Sequence, residues 1–198
     1  MRTASIVINA LIFVITLIIV IKNFRQNGAW QIQRGLKQFR YFTVLSNNFC
    51  AFAALIMAIS QMFGDVPRPV FMLKYYGAVS LTLTFLTVFL FLIPFQGGYR
   101  KWLVGDNLFA HLITPLLAIL SLGLLERQRM SFAAAMTGLL PMVFYGGVYL
   151  YKVLLAPEDR RWEDIYGFNR GGKWPISCVA TFAVTSLICV VFWRICQA

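Results

Sequence analysis

The chain has 198 residues, of which 60% are hydrophobic and only 13% are charged. A typical soluble domain carries about 25% charged residues, so this composition excludes an ordinary soluble fold, and an aromatic content of 16% excludes disorder. A net charge of +11 would suggest nucleic acid in a soluble protein. Here the basic residues lie in short gaps between apolar runs, where they set membrane orientation, so we expect no nucleic-acid ligand.

Six stretches without Lys, Arg, Asp or Glu are each long enough to cross a hydrocarbon core. Lipid offers no partners for backbone groups, so each stretch should be helical. The sequence therefore predicts an all-α polytopic integral membrane protein, with residues 1–198 forming one bundle of six transmembrane helices. In chain order, the predicted spans are about residues 4–21, 41–63, 75–95, 107–125, 131–151 and 175–193. The internal Pro115 and Pro141 should kink or locally open their helices, whereas Pro94 lies near a helix end.

The basic residues are divided unequally between the two sets of loops. Loops one, three and five carry twelve of the 18 Lys and Arg residues, and the other side carries six, with Lys74 counted among them. Because cytoplasmic loops are enriched in Lys and Arg, we expect loops one, three and five in the cytoplasm and both termini outside.

Polar residues line one helical face where the second and fourth spans begin. Thr43, Ser46 and Asn47 fall at i, i+3 and i+4, and Asn107 and His111 at i and i+4. Both spans begin on the side of loops one and three, so Thr43 and His111 should lie at similar depth. A threonine hydroxyl needs an adjacent base to act as a nucleophile, and histidine is the side chain most often used for this. The pattern predicts a nucleophile–base pair.

Other groups could complete such a site. Asp106 lies about 140° around the helix from His111, so Asn107 is better spaced to orient the imidazole. The side chains of Ser46, Asn47 or Asn107 could donate to a developing oxyanion. Further residues could line or cover the pocket, two on the fifth span and two in loop five: Tyr145, Tyr149, Trp162 and Tyr166.

Non-catalytic interpretations account for the same residues. Thr43 could bond a carbonyl of its own helix, and the polar faces could be packing seams. The protein would then be a small transporter, a sensor or an assembly partner, with His111 as a pH-responsive gate. A single histidine leaves a haem without a second axial imidazole. The four cysteines lie in or beside spans without a Cys-x-x-Cys pair and are interpreted as packed thiols, with no metal site.

Two short segments resemble a known family. Residues 40–47, RYFTVLSN, and residues 106–115, DNLFAHLITP, are similar to the two motifs of the androgen-induced-gene and androgen-dependent TFPI-regulating proteins, which have bacterial six-helix relatives. The resemblance implies a membrane threonine hydrolase that cleaves fatty-acid esters of hydroxy fatty acids, with Thr43 and His111 at the catalytic positions. Loop five departs from the family, because Tyr166-Gly167-Phe168 replaces a Tyr-Pro-Phe-like element.

The combined expectation is an intramembrane enzyme, a Thr- and His-dependent hydrolase of carboxylic esters. It would hydrolyse an ester bond of a membrane lipid or lipid-like substrate, or transfer the acyl group. The reaction would require no metal and no cofactor. By the same resemblance, we expect it in a bacterial inner membrane.

Overall fold

The structure, a computed structural model, describes all 198 residues and confirms the predicted fold class. Six helices are long and apolar enough to cross a membrane. They are α1 Arg2–Phe24, α3 Phe42–Phe63, α4 Arg68–Phe95, α6 Asp106–Leu125, α7 Phe132–Leu155 and α8 Trp174–Gln197.

Short elements occupy the first and third loops. Strands β1 Arg25–Gln26 and β2 Ala29–Trp30 form an antiparallel hairpin, followed by the seven-residue helix α2 Ile32–Gln38. The hairpin turn is Asn27-Gly28, and both residues have positive φ, as a two-residue turn of this twist requires. Helix α5, Gly98–Trp102, lies in loop three.

The prolines alter the helices that contain them. The π-helical turns Val88–Leu92 and Phe109–Ile113 lie just before Pro94 and Pro115, and the 3₁₀ turn Thr137–Leu139 lies before Pro141. Proline has no backbone N–H, so the carbonyl one turn earlier loses its usual hydrogen-bond donor. The turn before the proline then adopts a different hydrogen-bonding pattern. The helix is therefore locally widened before Pro115, as predicted, whereas before Pro141 it is tightened into a 3₁₀ turn.

Helix α4 lies at the centre of the bundle and packs against α3, α6, α7 and α8. Its Phe71 and Tyr75 are completely buried. The α3–α4 contact is close, because a Cβ atom on Gly77 would lie 2.8 Å from the Cα atom of Cys50. Helix α7 is peripheral, and Phe144 is 80% exposed on its outer face, as expected for a lipid-facing residue.

The prediction that the third span begins near residue 75 was wrong. Helix α4 begins at Arg68, and Lys74 lies inside it with no exposed surface. The prediction ended the span at the first charge, but Lys74 has buried polar partners in the bundle. Without Lys74, loops one, three and five carry twelve basic residues and the opposite side carries five. The excess of basic residues on which the expected orientation rests is therefore larger.

Candidate functional site

The two predicted catalytic residues lie at neighbouring helix starts on one side of the bundle. Thr43 is the second residue of α3, and His111 lies five residues into α6. The same side holds the end of α1, where Lys22 forms a 2.7 Å ion pair with Asp106 at the first residue of α6. The starts of α3 and α6 and the end of α1 therefore form one layer.

His111 is buried within the π-helical turn and has one ring nitrogen fixed. Its Nδ1 lies 2.8 Å from the carbonyl oxygen of Trp102, in α5. A carbonyl oxygen only accepts hydrogen bonds, so Nδ1 carries the proton, and in the neutral imidazole Nε2 is left with its lone pair. Nε2 makes no hydrogen bond to another protein group. The imidazole is therefore held in the tautomer that a general base requires.

The expectation that Asn107 orients the imidazole was wrong. The Asn107 amide is exposed and donates to the carbonyl of Lys101 at 3.1 Å. Residues 103–105 form a turn that brings the Trp102 carbonyl back to His111, nine positions later in the chain. Spacing along α6 alone could not reveal this partner, because it comes from the preceding loop.

Asn47 links the helix that carries Thr43 to the helix that carries His111. Its Nδ2 donates to the carbonyls of Thr43, at 2.8 Å, and Ala110, at 3.0 Å. Its Oδ1 accepts the Thr114 hydroxyl at 2.6 Å. Both amide hydrogens are therefore already used, and Asn47 acts as a positioning group between α3 and α6.

The Ser46 hydroxyl is also committed, because it lies 2.9 Å from the Thr84 hydroxyl of α4 and donates to the Thr43 carbonyl. None of the three side chains predicted as oxyanion donors thus has a free donor beside Thr43. The sequence pattern correctly placed Ser46 and Asn47 on the face of α3 that meets the bundle, where both are buried.

Loop five folds against the start of α3 through Tyr166. The Tyr166 phenol oxygen accepts the Phe42 backbone N–H at 2.8 Å, and the Tyr145 and Thr43 side chains lie close to it. Burial raises the pKa of Tyr166 above its ordinary value, although the hydrogen bond from the Phe42 N–H lowers it in part. The phenol therefore remains protonated at neutral pH and is available as a donor next to Thr43. The Thr43 hydroxyl and His111 are not hydrogen-bonded to each other in the structure.

Loop five is held in this position by an aromatic cluster and one carboxylate. Tyr149 stacks on Tyr145 and packs against Trp162 and Tyr166 at centroid distances of 6.4 and 5.4 Å. The Tyr149 hydroxyl donates to Asp164 at 2.9 Å. The Asp164 carboxylate also accepts the backbone N–H groups of residues 168 and 169, which fixes the turn. All four predicted pocket or lid residues therefore belong to one cluster.

A second group of polar residues, which the sequence reasoning missed, lies near the opposite ends of these helices. Lys74 and Glu126 form a buried ion pair with an N–O distance of 3.7 Å. Ser5 and Asn9 of α1, Gln61 of α3 and Ser121 of α6 complete the network. Ser5 and Asn9 lie one turn apart in a span whose other residues, apart from Thr16, are apolar, and this spacing is the signal that could have revealed the network.

No group of three or more His, Cys, Asp or Glu side chains is placed to hold a metal ion, and the four cysteines are free thiols. The chain matches no family model, no curated protein and no solved structure.

Proposed function

We propose that the protein is an intramembrane hydrolase of lipid acyl esters, with Thr43 as nucleophile and His111 as general base. The observation that carries the proposal is the hydrogen bond from His111 Nδ1 to the Trp102 carbonyl. In the neutral imidazole it leaves the lone pair on Nε2, in a buried site, and that is the form that can accept a proton from a hydroxyl. The resemblance of residues 40–47 and 106–115 to the threonine-hydrolase motifs supports the same assignment.

In the proposed first step, the Thr43 hydroxyl attacks the ester carbonyl and its proton passes to Nε2 of His111. The Thr43 side chain must move from its position beside Tyr166 to reach Nε2, because Thr43 and His111 are not hydrogen-bonded in the resting structure. The Trp102 carbonyl then stabilises the imidazolium through Nδ1–H. The tetrahedral intermediate collapses as the ester C–O bond breaks, and His111 returns the proton to the leaving alkoxide.

In the second step, water attacks the threonyl ester with His111 as base, which releases the fatty acid and restores Thr43. The Tyr166 phenol is the donor that we assign to the oxyanion, in place of Ser46, Asn47 and Asn107. Its position beside Thr43 and its retained proton suit that role.

A cavity in loop one, which precedes Thr43 in the chain, suits the polar end of such a substrate. It has a volume of about 730 Å³ and is lined by loop-one residues that include Trp30, Ile32, Lys37 and Arg40. Arg40 lies three residues before Thr43. The basic side chains can receive the carboxylate that a fatty-acid ester of a hydroxy fatty acid carries, and the bilayer receives the acyl chains.

Fluorophosphonate labelling of the purified protein tests the proposal. We expect labelling of wild type and Thr43→Ser, and loss of labelling in Thr43→Ala and His111→Ala. Thr82→Ala is the matched control, because the Thr82 hydroxyl only bonds the Ala78 carbonyl of its own helix. A thermal melt shows that each variant is folded. Equal labelling of wild type and folded Thr43→Ala would contradict the proposal.

Lipid-ester turnover provides the second test. Because the two residues act as a unit, the Thr43→Ala/His111→Ala variant should lose little more activity than either single variant.

The buried Lys74–Glu126 network favours the non-catalytic alternative, a small transporter, sensor or assembly partner, because ionised groups inside membrane proteins often mark solute paths. Under this alternative, the Thr43→Val variant would remain functional, and proteoliposomes that contain the protein would show solute flux. Flux without ester turnover would replace the hydrolase proposal.

A further inference from the structure

Loop one is folded closely onto the end of the first span. Gly35 of α2 lies so near the Phe24 ring, the last residue of α1, that a Cβ atom on Gly35 would overlap that ring. The Phe39 ring packs edge-on against Phe24 at a centroid distance of 6.4 Å. The Gln31 N–H donates to the Phe24 carbonyl at 2.7 Å, which closes the hairpin against the same helix end. Because α1 and α3 are both long and apolar enough to cross the membrane, loop one is held close to the membrane surface from both of its ends.

This packing leaves an apolar edge of loop one uncovered. Trp30, Ile32 and Leu36 are 65%, 63% and 59% exposed. Ile32 and Leu36 fall at i and i+4 of α2 and share one face of that helix. Tryptophan is enriched where the membrane meets water, because its ring is apolar and its N–H is polar. Water would leave this edge unfavourably exposed, whereas the boundary between headgroups and acyl chains would cover it.

Basic side chains border the apolar edge, and no acidic side chain balances them. The loop-one cavity of about 730 Å³ is lined by Trp30 and Ile32 and also by Arg34, Lys37 and Arg40. Arg34 and Lys37 are exposed and take part in no ion pair, and residues 25–41 contain no Asp or Glu. Apolar and basic groups that face the same space can receive a ligand that is itself anionic at one end and apolar at the other.

We propose that loop one lies on the membrane surface and binds anionic phospholipid headgroups in the leaflet on its own side. Trp30, Ile32 and Leu36 enter the headgroup layer, and lipid phosphates accept hydrogen bonds from Arg34 and Lys37. The spans hold this surface beside the bilayer, which favours lipid over a soluble acidic protein as the occupant.

The lipid-binding surface stands independently of the proposed hydrolase. Its residues bind the headgroup and carry out no chemistry, so the binding needs neither Thr43 nor His111. Anionic phospholipids would compete with the substrate carboxylate proposed above for the same basic side chains.

Lipid titration of the purified full chain in maltoside micelles, followed by thermal melting, tests the role of charge. We expect phosphatidylglycerol to raise the melting temperature saturably and at a lower concentration than phosphatidylcholine. The Arg34→Gln/Lys37→Gln variant should bind phosphatidylglycerol about thirtyfold more weakly at low salt, because it removes two basic residues near an anionic surface. The difference should shrink at high salt, which screens exposed charges. Both side chains are exposed, so the variant should remain folded.

Two further variants make the titration decisive. Arg127→Gln/Arg129→Gln is the matched control, because it removes the same charge from exposed residues of loop four, on the other side of the bundle. It should bind phosphatidylglycerol like wild type, and equal weakening in the two double variants would overturn the proposal. Thr43→Ala should also bind like wild type while losing fluorophosphonate labelling, so failure of this surface and failure of the proposed hydrolase are distinguishable.

Tryptophan quenching in nanodiscs tests where loop one lies. Lipids brominated near the headgroup end of their acyl chains quench tryptophans that reach that depth. The emission of wild type minus that of Trp30→Phe gives the share of Trp30, since the other tryptophans are common to both. We expect brominated phosphatidylglycerol to remove most of this share. An unquenched Trp30, or equal stabilisation of wild type by phosphatidylglycerol and phosphatidylcholine, would overturn the proposal and favour a soluble partner.

Discussion

Replacing Lys74 with methionine should destabilise the protein strongly, because it leaves Glu126 buried without its counter-charge. At the observed 3.7 Å separation, the attraction amounts to about 4.5 kcal/mol with an effective dielectric constant of about 20. The substitution also removes donors to Asn9 and Ser121. We expect Lys74→Met to lower the free energy of unfolding by about 3–5 kcal/mol, the usual cost of breaking a buried pair.

The double variant separates the ion pair from simple loss of packing. In Lys74→Met/Glu126→Gln both charges are gone, so the loss should be smaller than the sum of the two single losses by at least about 1 kcal/mol. Denaturant titration in mixed micelles, followed by tryptophan fluorescence, measures the four free energies. Additive single effects would refute the reasoning that the two side chains interact as buried charges.

Lys22→Met provides the matched control for the effect of burial. Lys22 and Asp106 lie closer together, at 2.7 Å, but their side chains are 58% and 43% exposed. Exposed pairs contribute about 0–1 kcal/mol, so this variant should remain within about 1 kcal/mol of wild type. If Lys22→Met costs as much as Lys74→Met, burial is not the cause of the difference.

Three further predictions concern the helix contacts and loop five. Asn47→Ala removes two hydrogen bonds between α3 and α6 and one within α3, and should lower the free energy of unfolding by about 2–3 kcal/mol in the same titration. Gly77→Ala places a Cβ atom 2.8 Å from the Cys50 Cα and should cost about 1–3 kcal/mol, whereas Gly146→Ala, with no neighbour within 4 Å, should not destabilise. Tyr166→Phe should lower ester turnover. Wild type should also be more stable than Tyr166→Phe, with the full difference in unfolding free energy present below about pH 10. This difference should be lost as the pH rises through the raised pKa of Tyr166.

Each of these predictions has an outcome that would contradict it. A folded Asn47→Ala variant with wild-type stability would show that the amide does not hold α3 to α6. Equal effects of the two glycine substitutions would show that the α3–α4 contact can relax. A stability difference for Tyr166→Phe that changes between pH 6 and pH 9 would show that another group titrates with the Tyr166 contacts.

The six spans could be predicted from the sequence because hydrophobic length is a local property of the chain. Any stretch of about 20 apolar residues meets the requirement for crossing the membrane, whatever its neighbours are. The same holds for the turns before Pro115 and Pro141, since the missing N–H acts on its own helix. The helical face of Thr43, Ser46 and Asn47 followed from spacing as well.

Contacts between separate segments were decided only by the tertiary structure. The partner of His111 is a backbone carbonyl, which every residue has, so no residue type identifies Trp102 in advance. Tyr166 reaches Thr43 across 123 positions of the chain, because Asp164 and the aromatic cluster fold loop five over the start of α3. Lys74 appeared to end a span, since a lone charge is costly in lipid. Inside the bundle it is not alone, because the packing of α1, α4 and α6 surrounds it with Asn9, Ser121 and Glu126.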